Sequence, residues 1–288
     1  MPLPRLLVIE GNTESGRALY RAAGGGPPSD GYTALLRELL PDATVDVCFP
    51  ADSGADLPDG AGLESYDGIA LTGSSLNIYN AGPEIDRQIE LARTALNSGT
   101  PIFGSCWGLQ VLTTAAGGSV RANPQGREIG FARRIALTAV GREHEMYDDK
   151  AEAFDALTVH RDEVEALAPG MRVLAANAMA QVQAAELRVN GTTAWGVQYH
   201  PEYSLHDMAV TIRRYGKRMV DEGFLTSEDE VRRYAQDLEV LHSDPRNRSL
   251  SWKHGVDQTV LDKPARVKEL ANWIAHQVLP TRSARGRG

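Results

Sequence analysis

The chain has 288 residues and a formal net charge of −8, and 42% of its residues are hydrophobic. No apolar run is long enough to cross a bilayer, and the charges are spread along the chain without the basic face that a nucleic-acid binder needs. Two cysteines, Cys48 and Cys106, make no disulfide framework. We therefore expect a soluble protein of the reducing cytoplasm that binds neither membrane nor nucleic acid.

As far as Gly118, short apolar runs alternate with helical patterns. Strands are predicted at 6–9, 44–49, 68–72 and 102–104, and helices at 30–40, 84–97 and 107–116. Asp30 is the expected N-cap of the first helix. The glycine-rich segment Ala22–Pro28 is expected to be a flexible loop that either covers a site or stays disordered. This rhythm predicts a parallel sheet with helices on both faces.

After Gly118, short strands follow one another closely, and then the patterns become helical. Strands are predicted at 135–139, 156–160, 172–176, 181–185 and 193–198, and helices at 205–222, 227–241 and 267–279. The strands indicate an antiparallel extension of the sheet. A polar break covers 243–249, and the basic residues 282–288 are expected to form a disordered tail. We expect two parts, an α/β domain over 1–225 and a helical extension over 226–288.

Cys106 lies in Gly104-Ser105-Cys106-Trp107-Gly108, between a predicted strand and a predicted helix. This spacing fits the sharp turn that displays a nucleophile above the ends of a parallel sheet. The following helix start favours a thiolate, and the Trp107 N–H is free there to bind an oxyanion. An inert core cysteine is the alternative, and the turn alone does not exclude it. Cys48, in the middle of a strand, is expected to be inert.

A nucleophilic cysteine needs a base, and the base needs an orienting group. His200 ends an apolar strand, and Pro201 stops the strand there. Glu202 follows two residues later, where its carboxylate can accept a hydrogen bond from one imidazole nitrogen and fix the tautomer. A strand-end histidine beside a surface glutamate is the alternative for this short motif on its own.

The two motifs together resemble those of the class I (triad) glutamine amidotransferases. Gly104-x-Cys106-x-Gly108-x-Gln110 lies about 94 residues before His200-Pro201-Glu202. The chain is most similar to the stand-alone branch that looks like the amidotransferase part of GMP synthase. The resemblance covers roughly residues 5–205, and it is supported by the stretches 66–74, 123–130, 160–164 and 196–202.

The resemblance implies a flavodoxin-like sheet that carries a Cys106–His200–Glu202 triad and releases ammonia from glutamine through a glutamyl thioester. Gly73 matches the family's second oxyanion donor, and Gln110 matches a residue that contacts the substrate. His160 and Asp162 fall in a segment that lines the glutamine pocket of relatives, and a role there is the alternative to a structural histidine, which is the interpretation favoured for His160. No cofactor or metal is implied.

The sequence also departs from the resemblance. The oxyanion turn is Thr72-Gly73-Ser74-Ser75, where many relatives carry two glycines and a proline, and Leu109 stands where histidine is frequent. The first of these departures leaves open a looser turn or one shaped for another ligand.

Three functions remain open. The first is a glutaminase that passes ammonia to a separate synthetase partner, because no phosphate-binding glycine loop is found in this chain. The second is a stand-alone hydrolase or transferase of γ-glutamyl amides, and the third is a non-enzymatic binding or regulatory protein. The amphipathic helices at 227–241 and 267–279 either cover the core or form a surface for a synthetase or a homodimer.

Overall fold

The computed structural model describes residues 3–55, 57–60 and 62–287. Its strands form one large sheet and one small one. They are β1 Arg5–Ile9, β2 Thr44–Cys48, β3 Gly68–Leu71, β4 Ile102–Ser105, β5 Ser119–Ala122, β6 Glu128–Leu137, β7 Ala153–His160, β8 Asp162–Ala166, β9 Met171–Ala176, β10 Ala184–Val189 and β11 Thr192–Val197.

The α-helices lie between these strands and after the last of them. They are α1 Glu14–Ala22, α2 Pro28–Leu39, α3 Pro83–Ala95, α4 Trp107–Ala115, α5 Ala139–Arg142, α6 Leu205–Asp221, α7 Glu228–Ser243, α8 Arg248–His254, α9 Gln258–Leu261, α10 Lys263–Arg266, α11 Lys268–Trp273 and α12 Leu279–Ala284. A π-helical turn, Ile274–Val278, joins α11 to α12.

The large sheet has the strand order β2-β1-β3-β4-β11-β10-β9-β6-β7. The pairs from β2 to β11 are all parallel, and the pairs from β11 to β7 are all antiparallel. The small sheet pairs β5 with β8 in antiparallel fashion. The prediction of a parallel α/β sheet with an antiparallel extension is confirmed.

The parallel strands carry buried apolar side chains on both faces, as is typical of strands that are covered by helices on each side. In β1, for example, Leu6 and Val8 pack with α2, whereas Leu7 and Ile9 pack with α3 and α4. A third apolar cluster lies between the β6–β7 pair and the helices α6 and α7.

The C-terminal helices pack against the same cores. Trp273 of α11 is fully buried, and its ring lies 6.0 Å from that of Phe103 in β4. The basic tail was expected to be disordered, but α12 continues to Ala284. Arg285 then donates hydrogen bonds to the carbonyls of Tyr66 and Ser98, and Arg287 pairs with Asp67. These contacts explain the order of the tail up to residue 287.

Several predicted elements differ in detail. Helix α1, the strand pair β5 and β8 and the helix α8 were not predicted. Pro27, rather than Asp30, is the N-cap of α2. The segment 22–28 was predicted to be a flexible loop, but it packs against α6. Gly25 lies so close to Val210 of α6 that a Cβ at Gly25 would be 2.8 Å from the Val210 side chain.

Within the described ranges, no helix combines the length and the apolar character that crossing a membrane requires.

Candidate active site

Three neighbouring parallel strands end at the same edge of the sheet. Gly73 follows β3, Cys106 follows β4, and His200 follows β11. The register pairs Val197 with Ser105, so β4 and β11 end side by side. The carboxyl ends of parallel strands are the usual place for a binding site in such sheets. The fold therefore gathers residues that are far apart in the sequence.

Cys106 has a backbone conformation that is rare for any residue but glycine, with φ 52° and ψ −99°. Its N–H donates to Val197 O at 2.7 Å. The flanking glycines make this turn sterically possible. A Cβ on Gly104 would lie 2.7 Å from the carbonyl carbon of Gly108, and a Cβ on Gly108 would lie 2.8 Å from Leu71 O. The strained, glycine-flanked turn has the geometry of a nucleophile elbow.

His200 and Glu202 form a buried pair beside Cys106. Nδ1 of His200 lies 2.7 Å from Oε1 of Glu202, and the imidazole stacks on the ring of Tyr203 at 4.0 Å. Burial lowers the pKa of His200, but the charge of Glu202 and the interactions with Cys106 and Glu202 outweigh it and raise the pKa to about 10. The pair thus favours an imidazolium next to the thiol.

The thiol of Cys106 is 4% exposed and donates to Val159 O at 3.4 Å. Nε2 of His200 has no partner of ordinary hydrogen-bond geometry in the described part of the chain. This nitrogen is therefore available to the thiol and to a substrate. Catalytic hydrogen bonds are often loose before a substrate binds and tighten in the complex.

Gly73 lies directly against the imidazole, since a Cβ there would be 2.6 Å from Cε1 of His200. Its carbonyl accepts from Nδ2 of Asn12 at 3.1 Å, which holds the turn in place. Among the described residues, the backbone N–H groups of Gly73 and Trp107 donate no hydrogen bond. Gly73 thus lies beside His200, and Trp107 directly follows Cys106, and both predicted oxyanion donors have unused N–H groups among the described residues.

A cavity of about 110 Å³ opens at Cys106. Gln110 lies in its wall and donates from Nε2 to Asp162 O at 3.4 Å and to Oε1 of Gln198 at 3.3 Å. The remaining lining residues come from the turn after β3, from β6 to β8 and from α6. They are Ser74, Ser75, Leu76, Asn77, Tyr79, Arg127, Val159, His160, Arg161, Asp162, Tyr215 and Arg218.

His160 and Asp162 line this cavity but are also held by protein groups. Nδ1 of His160 lies 2.9 Å from Asp162 O, and Nε2 lies 2.9 Å from Oε2 of Glu128. The carboxylate of Asp162 accepts from Asn77 at 2.7 Å and from the hydroxyl of Tyr79 at 2.9 Å. Because both ring nitrogens of His160 are engaged, this side chain fixes the shape of the wall.

The sequence analysis did not single out several residues of the site. Arg127 and Arg161 lie within the stretches that carried the resemblance, but nothing in the sequence marked them as cavity residues. Tyr215 and Arg218 belong to α6 and gave no signal at all. Past them the cavity meets an open basin of about 520 Å³ that reaches Leu19 of α1.

Cys48 lies outside this site. It is 4% exposed in an apolar cluster, and burial raises the pKa of its thiol to about 12. A thiol with such a pKa stays protonated at neutral pH and is a poor nucleophile. This environment agrees with the prediction of an inert core cysteine.

Known proteins share this combination of fold and motifs. The family model for "Glutamine amidotransferase class-I" matches residues 32–216. The chain belongs to the class-I glutamine amidotransferase family. It is 38% identical over 284 residues to a gamma-glutamyl-L-1-hydroxyisopropylamide hydrolase of a Pseudomonas species, covering 96% of this chain and 94% of the relative.

A second relative matches a smaller part of this amidotransferase. It is a glutamine-hydrolyzing GMP synthase subunit of Methanocaldococcus jannaschii, which is 31% identical over 125 residues, covering 43% of this chain and 63% of the relative. The family and the relatives show that the chain is an amidohydrolase. The non-enzymatic alternative is therefore wrong.

Solved structures share the fold of this amidotransferase. A glutamine amidotransferase from Thermotoga maritima superposes with a TM-score of 0.63 at 18% identity, covering 91% of this chain and all of that one. One from Methylobacillus flagellatus gives a TM-score of 0.60 at 19% identity, covering 96% and 95%. At this identity the likeness concerns the fold, and the flavodoxin-like architecture is confirmed.

Proposed function

We propose that this amidotransferase hydrolyses γ-glutamyl amides of amines larger than ammonia, without a synthetase partner. The observation that carries the proposal is the full-length similarity to the Pseudomonas hydrolase, which extends over the C-terminal helices. The GMP synthase subunit, in contrast, matches less than half of this chain. Because this chain and the hydrolase share the C-terminal helices as well as the sheet, we infer that they share the same kind of activity.

In the first step, the thiol proton of Cys106 passes to Nε2 of His200, and the thiolate Sγ attacks the γ-carbonyl carbon of the substrate. A C–S bond forms, and the carbonyl π electrons move to the oxygen, which the N–H groups of Gly73 and Trp107 bind. The oxyanion then reforms the carbonyl while the C–N bond breaks. His200 gives its proton to the departing nitrogen, so the amine leaves neutral and a glutamyl thioester remains.

In the second step, water attacks the thioester. His200, now neutral, takes one proton from this water as the C–O bond forms. The C–S bond breaks, glutamate leaves, and the thiolate of Cys106 is restored beside the imidazolium of His200. Glu202 accepts the Nδ1–H of His200 and stabilises its imidazolium in both steps.

The charges around the cavity suit a γ-glutamyl head group, which carries one carboxylate and one ammonium. Arg161 and Arg218 supply positive charge, and Asp162 supplies negative charge. Gln110 lies between Asp162 and the elbow, where its amide fixes the wall next to the reacting carbonyl. We propose that these four side chains bind the head group and aim the γ-carbonyl at Cys106.

The room for the leaving amine lies in the basin next to the cavity. Ser75, Tyr215 and Arg218 border both spaces, so the two are adjacent. Leu19 and Tyr215 give the basin some apolar surface, and its other lining residues are polar or charged, a mixture that suits a hydroxyalkyl substituent. Ammonia needs no such space.

A turnover screen tests this proposal. The purified chain is supplied with γ-glutamyl-L-1-hydroxyisopropylamide, γ-glutamyl ethylamide, γ-glutamyl p-nitroanilide and glutamine, and kcat/KM is measured for each. We expect higher values for the substituted amides than for glutamine, and none for Cys106→Ala. Turnover of glutamine alone, or turnover of amides only after a cell extract is added, contradicts the proposal.

The second candidate is a glutaminase that delivers ammonia to a synthetase partner. The similarity to the GMP synthase subunit favours it. In the same screen it predicts glutamine hydrolysis that rises when a cell extract is added, with substituted amides left untouched.

A further inference from the structure

Glu202 has a second hydrogen-bonded neighbour besides His200. Its Oε2 accepts from the hydroxyl of Ser105 at 2.8 Å, and the hydroxyl of Tyr32 lies 2.5 Å from that of Ser105. Ser105 and Tyr32 are fully buried. A chain of hydrogen bonds thus runs from α2 through the residue before the nucleophile to the carboxylate.

The direction of this chain follows from the chemistry of the groups. An ionised carboxylate only accepts hydrogen bonds, so the single proton of Ser105 must point to Glu202. Because the Ser105 proton is donated to Glu202, the hydroxyl of Tyr32 must donate its proton to the hydroxyl oxygen of Ser105. At the other end, Oε1 of Glu202 accepts the Nδ1–H of His200. This direction of the hydrogen bonds places the proton of His200 on Nδ1 and leaves Nε2 free to interact with Cys106.

Local structure explains why Ser105 can do this. Successive side chains of a strand point to opposite faces of the sheet, and Phe103 and Ser105 of β4 both point to the face covered by α2. Tyr32 reaches the same place from α2, inside the apolar cluster. Cys106, after the strand has ended, turns toward the cavity instead. The adjacent residues Ser105 and Cys106 thus provide a support for Glu202 and the proposed nucleophile.

We propose that Ser105 and Tyr32 are positioning residues that hold the Glu202 carboxylate, and through it the imidazole of His200, in the reactive orientation. The proposal rests on the proposed triad chemistry and assigns the residues that align it. Burial raises the pKa of Tyr32 well above its ordinary value, and so does the charge of Glu202, so its hydroxyl remains a donor over the whole range of an assay.

A purely structural role for this chain predicts lower stability and an unchanged reaction. A positioning role predicts a specific kinetic change. Without the hydroxyl of Ser105, Glu202 has a free oxygen and can rotate away from His200. Because the carboxylate then supports the imidazolium less well, the pKa of His200 falls. The alkaline limb of the activity profile therefore moves to lower pH, whereas substrate binding in the cavity is unchanged.

The experiment compares Ser105→Ala and Tyr32→Phe with matched controls. Tyr66→Phe removes a buried phenol hydroxyl that donates to Asp46, and Ser251→Ala removes a hydroxyl on α8 that donates to Arg248 O. Both controls lie outside the site. The probe is γ-glutamyl p-nitroanilide, and kcat, KM and the pH profile are measured for all four variants. If the wild type does not turn it over, alkylation of Cys106 by a diazo-ketone analogue of glutamine is followed against pH.

For Ser105→Ala we expect kcat to fall about 10- to 100-fold, as expected for a lost hydrogen bond to a charged group, with KM within about twofold. Tyr32→Phe should cause a smaller loss of kcat and the same downward shift of the alkaline limb. If Ser105→Ala does not fold, Tyr32→Phe alone decides. A pH profile and kcat like those of the controls overturn the proposal. Failure of the wild type on every γ-glutamyl amide instead overturns the proposed function, and the alkylation profile then tests the positioning role.

Discussion

Replacing Glu202 by glutamine removes the charge of the proposed triad carboxylate and preserves the volume of the side chain. The new side chain can still accept the Nδ1–H of His200 through its carbonyl oxygen. Its amide, however, now faces the hydroxyl of Ser105, whose proton loses its acceptor. The variant therefore removes the charge while it keeps the contact with His200.

The magnitude follows from the distance between the two groups. Nδ1 of His200 and Oε1 of Glu202 are 2.7 Å apart. Two unit charges centred about 4 Å apart attract by about 4 kcal/mol at an effective dielectric constant of about 20. This energy equals about three pKa units. Loss of the charge should thus move the pKa of His200 from about 10 to near or below neutrality.

The sign of the pH effect follows directly. His200 must be protonated to release the amine, and Glu202 favours the protonated form. Without that charge the proton leaves at lower pH, so the alkaline limb of kcat moves downward. We expect kcat at the optimum to fall about 10²- to 10³-fold, with little change in KM, because Glu202 does not line the cavity at Cys106.

The assay measures kcat and KM for the best substrate of the screen between about pH 6 and pH 11. Glu239→Gln is the control, because Glu239 pairs with His206 at 2.9 Å on α6 and α7, away from the site. The reasoning is refuted if Glu202→Gln keeps the wild-type alkaline limb, or if its kcat differs from that of the control by less than threefold.

Two further predictions concern the elbow. At neutral pH, iodoacetamide should modify Cys106 rather than Cys48, because burial raises the pKa of the Cys48 thiol to about 12. Peptide mapping identifies the modified residue, and preferential modification of Cys48 would count against the assignment. Gly104→Ala should lower the free energy of unfolding by about 1–3 kcal/mol and reduce kcat, since its Cβ would lie 2.7 Å from the carbonyl carbon of Gly108. Thermal melts and kinetics measure both, and a variant with wild-type stability and kcat would contradict the packing argument.

The parallel half of the sheet was predictable because its strands are buried on both faces. Such strands appear in a sequence as short continuous apolar runs, as in β1 and β4. The elbow was predictable because Gly104 and Gly108 are required by close backbone contacts next to Cys106. Local sequence therefore determined both features, and the order of the strands brought His200 to the same edge.

The antiparallel half was less predictable. Strand β6 begins at Glu128, but only its last residues were predicted as a strand. Gly130 has a φ of 91°, and the pairing register shifts between Ala132 and Ile135. These irregularities break the alternation of apolar and polar residues on which strand prediction depends. Strand β8, which was not predicted, pairs with β5 in the small sheet, and β5 was not predicted either.

The C-terminal region shows a similar limit. The segment 267–279 was predicted as one helix, but it contains α11 and the π-helical turn, which continue into α12. The hydrogen bonds of a π-helical turn join residues five apart, and they do not change the apolar pattern with a period of 3.6 residues from which helices are predicted. The boundary between the two predicted parts, at residue 225, stays a prediction.

The hydrogen bonds that we propose to position Glu202 could not be predicted from the sequence. Ser105 occupies a variable position of the elbow pattern, and its partner Tyr32 lies 73 residues earlier. The lining residues Tyr215 and Arg218 likewise depend on where α6 packs. Contacts between distant parts of the chain require the fold itself.

The most direct test of the central claim is detection of the covalent intermediate. The reaction with γ-glutamyl p-nitroanilide, or with the best amide of the screen, is quenched in acid during turnover, and the peptides are analysed by mass spectrometry. We predict a glutamyl group on the peptide that contains Cys106, and neither adduct nor turnover in a folded Cys106→Ala variant. Near-wild-type hydrolysis by that variant, or an adduct on another residue, would contradict the account.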